Sequence, residues 1–274
     1  MMMIEDILYK MIRKALPSGL FQVASRLLGR DKAYHRPGTY RGIYDYYRSH
    51  GLDFRGKTVL EVGPGSQLFT AFFYLADGAD QILVADPKVD PESVHRQLQE
   101  FNAFSQNPLG SETTAKIKFF RDTREIPNEY NGRIDLICSN NVLEHLPDLG
   151  SFYADNARLL SPYGESCHRV DVSDHTYHLF SKFPLLRNLG HRRSLYHLRY
   201  SNRAFQLLND PKTYMNRKLL PVHLDHVRGV GLRIAELQRQ AFPQVPIHPD
   251  LWKGSALPPA EDLHLTDFYF KVTH

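Results

Sequence analysis

The run Thr58-Val59-Leu60-Glu61-Val62 is apolar apart from one acid, and it breaks directly into Gly63-Pro64-Gly65-Ser66 before a helical pattern opens at Leu68. A strand that turns through glycines into a helix begins a βαβ unit, which confines the chain to folds with parallel strands joined by crossover helices. The rhythm that follows agrees. Strand-like segments at 81–85, 117–120, 134–139 and 165–172 alternate with helical patterns at 68–76, 91–104 and 151–160, and Ser161-Pro162-Tyr163-Gly164 marks a turn before the fifth strand. Residues 175–221, dense in aromatic, histidine and arginine side chains, interrupt the alternation and read as a cap over the carboxyl edge of the sheet. A helix at 230–242 and a last strand at 263–272 restore it.

Upstream of this core, Ile4, Ile7, Leu8, Met11 and Ile12 fall on one helical face with Lys10, Arg13 and Lys14 beside it. The spacing predicts an amphipathic basic helix, a lid or surface helix, with contact to a membrane surface as the alternative. The expected organisation is an N-terminal helical segment at 1–50 and one core domain at 51–274, with 175–221 as its cap. A chain of 274 residues with 42% hydrophobic and 23% charged residues suits such a domain, and its net charge of +4 lacks the basic stripe of a nucleic-acid binder. Cys138 and Cys167 have no Cys-x-x-Cys partner and read as core thiols. No run approaches the roughly 18 apolar residues of a membrane span, so a cytoplasmic location is the default expectation.

Glycine at 63 and 65 lets the backbone approach a ligand at the carboxyl end of the first strand, where open α/β sheets bind cofactors. A dinucleotide-binding oxidoreductase has a similar turn. Leu68, however, stands where its third glycine belongs, and Glu61 would repel a diphosphate. At the end of the second strand, Asp86 can accept hydrogen bonds from both hydroxyls of a ribose. Asp122-Thr123 follows the third strand, where an adenine amino group would be reached. Either aspartate alone also suits a helix N-cap or a turn.

The fourth strand continues as Ile134-Asp135-Leu136-Ile137-Cys138-Ser139-Asn140-Asn141-Val142-Leu143-Glu144-His145-Leu146-Pro147-Asp148. With the glycine loop and the acids before and after it, this stretch resembles the class I S-adenosylmethionine (SAM)-dependent methyltransferases that carry Leu-Glu-His after strand four. The resemblance spans about 40–175. It implies a Rossmann-like seven-stranded, mostly parallel sheet with helices on both faces, an antiparallel last strand, N-terminal helices and a cap insertion after strand five. It also implies SAM as cofactor. Glu61 would order the loop and the methionine end, Gly63, Gly65 and Ser66 would line the cofactor, Asp86 would take the ribose, and Asp122 with Thr123 the adenine side. The backbone of Asn140 would face the amino-acid end, and Arg41 or Tyr40 would reach its carboxylate. Gln67, where many relatives have glycine, and the 161–164 turn depart from the pattern.

Methyl transfer from a sulfonium is an in-line displacement, so positioning and exclusion of water carry the rate, with a general base where the acceptor is a hydroxyl. His175, just past the fifth strand, is the first candidate for that base, with Asp171 or Asp174 to orient it. His145 and His168 read as structural, and His223, Asp225 and His226 as a polar-faced strand or loop at 219–227 rather than a metal site. Basic residues from His191 to Arg203 and at Arg217-Lys218 read as a solvated surface or a grip on an anionic group of the substrate. The expected activity is methylation of a small polar acceptor, a sugar or natural-product hydroxyl, with a non-catalytic SAM-binding or partner-binding module and an NAD-dependent oxidoreductase as rivals.

Overall fold

The computed structural model describes residues 36–174, 195–209, 214–241, 248, 250 and 265–274. Its sheet has seven strands: β1 (Thr58–Val62), β2 (Gln81–Ala85), β3 (Ile117–Phe120), β4 (Ile134–Asn140), β5 (Leu160–Asp171), β6 (Arg233–Ala241) and β7 (Leu265–Thr273). The order across it is β3-β2-β1-β4-β5-β7-β6, parallel from β3 to β5, with β7 antiparallel to both neighbours. The expected mixed sheet with an antiparallel last strand is therefore present. Because the chain proceeds outward from β1 to β3 and then returns to the other side of β1 as β4, the strand order reverses between β1 and β4. Open α/β sheets bind their ligands outside the carboxyl ends at such a reversal.

Two cores flank the sheet. On one face, helices α1 (Pro37–Ser49), α2 (Phe69–Ala76) and α3 (Val94–Phe104) bury an aromatic layer that includes Tyr47, Phe54, Phe72, Tyr74 and Phe101 over Val59, Ile82, Cys138 and Cys167. α1 has no acid in its first turn, but Pro37 presets the helical φ, and the helix ends near Gly51, whose φ is +79°. Burying Tyr47 and the neighbouring rings, each about 2–3 kcal/mol, holds it to the domain. On the other face, α4 (Leu149–Leu159) and α6 (Leu220–Gly229) cover Leu60, Ile137, Val170, Phe268 and Phe270. A short helix α5 (Asn202–Leu208) lies within the segment 175–221 that was expected as a cap.

Three local expectations differ from the structure. Residues 230–242 were expected as helix, but β6 pairs with β7 in their place. Ala235-Glu236-Leu237-Gln238 is good helical sequence, yet pairing on the ladder outweighs propensities of a few tenths of a kcal/mol per residue. Residues 219–227 were expected as strand or loop and form α6. Pro221 starts that helix, and Leu220, His223 and Val227 form its buried stripe. Ser161-Pro162-Tyr163-Gly164, expected as a turn before the fifth strand, lies inside β5, where the pairing with β4 skips from Leu160 to Glu165, and Leu143–His145 forms a single 3-10 turn. The N-terminal amphipathic segment at 3–30 lies outside the described residues.

Candidate active site at the carboxyl edge

β1 ends in a loop that only glycine can build. Gly63 has φ +72°, and a Cβ there would lie 2.4 Å from Cγ2 of Val142, just past β4. Its N–H donates to the Ala85 carbonyl at 2.9 Å. Gly65 also has positive φ, +73°, and its N–H donates to Asp86 Oδ2 at 2.8 Å, while Asp86 Oδ1 accepts from the Lys88 N–H at 2.7 Å. Asp86 therefore ties the glycine loop to the end of β2 with one lone pair of each oxygen, and the remaining lone pairs are available to hydroxyls.

Gln97 supports the loop from below. Its Oε1 accepts from the Leu68 N–H at 2.8 Å, and its Nε2 donates to the Ser66 carbonyl at 3.0 Å and to Ser93 Oγ at 2.8 Å. Sequence reasoning passed over this residue. The available signal was a lone amide on the buried stripe Val94, Gln97, Leu98, Phe101 of α3. Ser66 itself is exposed, and its hydroxyl is approached at 3.3 Å by the side chain of Gln67.

Glu61 is buried. The Thr70 hydroxyl donates to its Oε1, and Oε2 has no partner. Burial raises its pKa to about 8, partly countered by the Thr70 hydrogen bond. Tyr40 of α1 stands near enough for the Glu61 charge to add to the burial that lifts its phenol to about 12. Of the two residues expected at a cofactor carboxylate, Tyr40 therefore lies near Glu61. Arg41, on the neighbouring face of α1, pairs with Asp45 at 2.7 Å and lies over the Tyr44 and Phe73 rings at 5.4 and 5.5 Å. A cation that the sequence did not point to also stands near the end of β5. Arg169, in register with Asn140 across β4 and β5, bonds Asp267 at 3.3 Å and keeps its buried Nε unpartnered.

At the end of β3, Asp122 accepts from the Arg124 N–H at 3.0 Å and binds the Arg124 guanidinium with both oxygens at 2.9 Å. Arg124 holds the carboxyl below its usual range, so it stays ionised. The Thr123 hydroxyl donates to Asp155 of α4 at 2.8 Å, and its carbonyl accepts from the Ile126 N–H at 3.2 Å. Asn140 closes β4, and the next residue, Asn141, adopts φ +55°. Asp171 closes β5 and accepts from the Ser173 N–H at 2.8 Å. His175 lies outside the described residues.

His168, His223, His226 and His145 make contacts within the protein. His168 bonds Ser139 at 2.8 Å and Ser166 at 2.5 Å, and His223 bonds the Tyr153 hydroxyl at 2.8 Å. Burial lowers both to about 3, so they stay neutral. His226 stacks on Tyr153, and Asp225 faces Arg228 at 3.5 Å. His145 Nδ1 contacts the Tyr214 carbonyl at 2.5 Å.

A glycine loop at the switch point, with a cation-seeking acid before it and a hydroxyl-accepting acid after it, fits a nucleoside bearing an amino-acid tail. A family model described as a methyltransferase domain matches residues 33–209. The chain belongs to this methyltransferase family. The donor of the SAM-dependent class that its motifs resemble is SAM, and the oxidoreductase alternative falls with that assignment. No curated protein matches the methyltransferase in sequence. Among solved structures, geranyl diphosphate C-methyltransferase from Streptomyces coelicolor A3(2), in complex with Mg2+, geranyl diphosphate and S-adenosyl-L-homocysteine, is 10% identical, with TM-score 0.51 over 85% of this chain and 78% of that one. A SAM-dependent methyltransferase from Mesorhizobium loti is 14% identical, with TM-score 0.49 over 83% and 95%. The former likeness establishes a shared fold and nothing of the acceptor.

Proposed function

We propose that this methyltransferase moves a methyl group from SAM to a small polar acceptor held beyond the ends of β4 and β5, of the class of sugar or natural-product hydroxyls. What carries the reading is the division of the edge. The glycine loop, Glu61 and Asp86 gather on the β1–β2 side of the switch point, which leaves the β4–β5 side, with Asp171, for the acceptor. SAM, when bound, supplies an electrophilic methyl on a sulfonium. Glu61 Oε2 offers a carboxylate oxygen to its ammonium, the free lone pairs of Asp86 receive the ribose hydroxyls, and Ser66, Asp122, the Thr123 backbone and the Asn140 backbone border the rest. Tyr40 or Arg169 answers its carboxylate in place of Arg41. Asp171 fixes the chain leaving β5, and His175, two residues beyond the Ser173 that it bonds, is proposed as the base for a hydroxyl acceptor.

Calorimetry tests the cofactor half. Asp86→Ala removes both the ribose acceptor and the Gly65 tether, and S-adenosylhomocysteine (SAH) affinity is expected to fall by tenfold or more. An unchanged affinity would remove Asp86 from the site. Release of SAH in the presence of hydroxyl acceptors then tests transfer itself.

A further inference from the structure

The turn after β4 presents a carboxyl that the protein leaves unsatisfied. Glu144 is 1% exposed, and neither of its oxygens has a partner in hydrogen-bonding geometry. Its own N–H and that of Asp171 lie close enough to soften its burial without offsetting it, and His145 Nε2 stands 3.9 Å away. Burial and the neighbouring Asp171 charge push the Glu144 carboxyl well above the usual carboxylate range, against the pull of Arg169.

The position of this carboxyl is built. Asn216 donates from its backbone to the Glu144 carbonyl at 2.8 Å, and from its side chain to the Leu143 and Leu146 carbonyls at 2.7 and 2.8 Å. The neighbouring Arg217, itself at φ +56°, anchors that strap to the cap through the His197 and Tyr200 carbonyls at 3.0 and 2.9 Å. Val142, two residues before Glu144, is the residue packed against Gly63, so the turn borders the cofactor loop. On the other side, Asp171 and Asp267 stand in register across β5 and β7, and Arg169, bound to Asp267, is the cation that faces them. A buried carboxyl on a backbone tied at three carbonyls, with neither oxygen hydrogen-bonded, is suited to a ligand that brings donors and positive charge.

We propose that Glu144, with Asp171 beside it, is the subsite for a protonated amine on the methyl acceptor, so that the substrate is a small polar molecule carrying an ammonium group. The inference rests on the proposed placement of the acceptor at the β4–β5 edge. An ammonium brings three donors and a positive charge to the Glu144 oxygens. A neutral polyol brings donors without the charge.

The test uses protein saturated with SAH and follows its melting temperature with glucosamine and ethanolamine as probes, against glucose and ethylene glycol at matched ionic strength. The expected result is protection of several degrees by the amines and none by the neutral molecules. Glu144→Gln loses that protection and Asp171→Asn reduces it, while the SAH dissociation constant of Glu144→Gln stays within twofold of wild type. Should Glu144→Gln not fold, Asp171→Asn carries the comparison. Equal protection by glucose, no protection by either amine, or protection retained in both variants overturns the proposal. A tenfold loss of SAH affinity in folded Glu144→Gln also overturns it, by assigning the carboxyl to the ammonium of the cofactor. A wild type that fails to bind SAH would sink the cofactor reading on which the subsite stands.

Discussion

Gly63 has both a left-handed backbone and a space already filled by Val142, so alanine there meets two independent penalties. The strain and the displaced side chain together cost about 1–3 kcal/mol. Gly63→Ala is expected to lower SAH affinity by more than tenfold in isothermal titration, with a smaller loss of melting temperature. Glu61 adds a pH dependence whose sign follows from its raised pKa. With a folded value of about 8, the free protein carries it protonated at neutral pH, and pairing with an ammonium requires the proton to leave. SAH affinity therefore rises as pH goes from 6 to 8, by up to about tenfold per unit. Glu61→Gln should flatten that slope, and a slope that survives the substitution would free Glu61 of the role. The positions of the glycine turn and the strand-end acids were legible because few residue types suit such turns and edges. Gln97 and Glu144 were not, since an amide on a helix stripe and an acid in a turn acquire meaning only from what they face.

At the level of elements, α3 does more than cover the sheet, because Gln97 reaches from it to the Leu68 N–H and the Ser66 carbonyl at the two ends of the loop–helix junction. Gln97→Leu keeps the volume but leaves both backbone groups unsatisfied, each at about 1–3 kcal/mol. We expect SAH binding to weaken five- to fiftyfold while the far-ultraviolet circular dichroism stays that of wild type. Strands β1 to β5 were readable because apolar runs bounded by turns admit little else. β6 and α6 were exchanged in kind, as helix-favouring Glu236, Leu237 and Gln238 joined the edge of the sheet while Leu220, His223 and Val227 found a stripe to bury. In both places the partner surface decided.

Across the whole molecule, burial of titratable groups sets opposing responses to acid. His168 and His223 have folded pKa values near 3, below the unfolded value of roughly 6.5. The unfolded chain thus binds more protons between those limits, and stability falls as pH drops through them, by up to about 1.4 kcal/mol per unit per histidine. Glu61 acts in the opposite sense. Its folded pKa lies above the unfolded one, so its contribution is full below about pH 4.5 and is lost as pH rises through about 8. Urea unfolding at pH 5 and 6.5 should show a shallower loss of stability in His223→Gln than in wild type, and equal slopes would mean that His223 takes up a proton in the fold.

The sequence by itself determined the class of this protein. A glycine turn after a buried strand, acids at successive strand ends and the Leu143-Glu144-His145 stretch are local in the chain, and local chemistry survives without coordinates. Only the tertiary structure decided which groups meet. It paired Arg41 with Asp45, brought Arg169 beside Asn140, put Gln97 under the loop, and buried the Glu144 carboxyl near Asp171 without a hydrogen-bond partner. Each of those contacts except the Arg41–Asp45 pair joins residues more than 20 positions apart, and a spacing pattern carries no information about pairs that the strand order brings together.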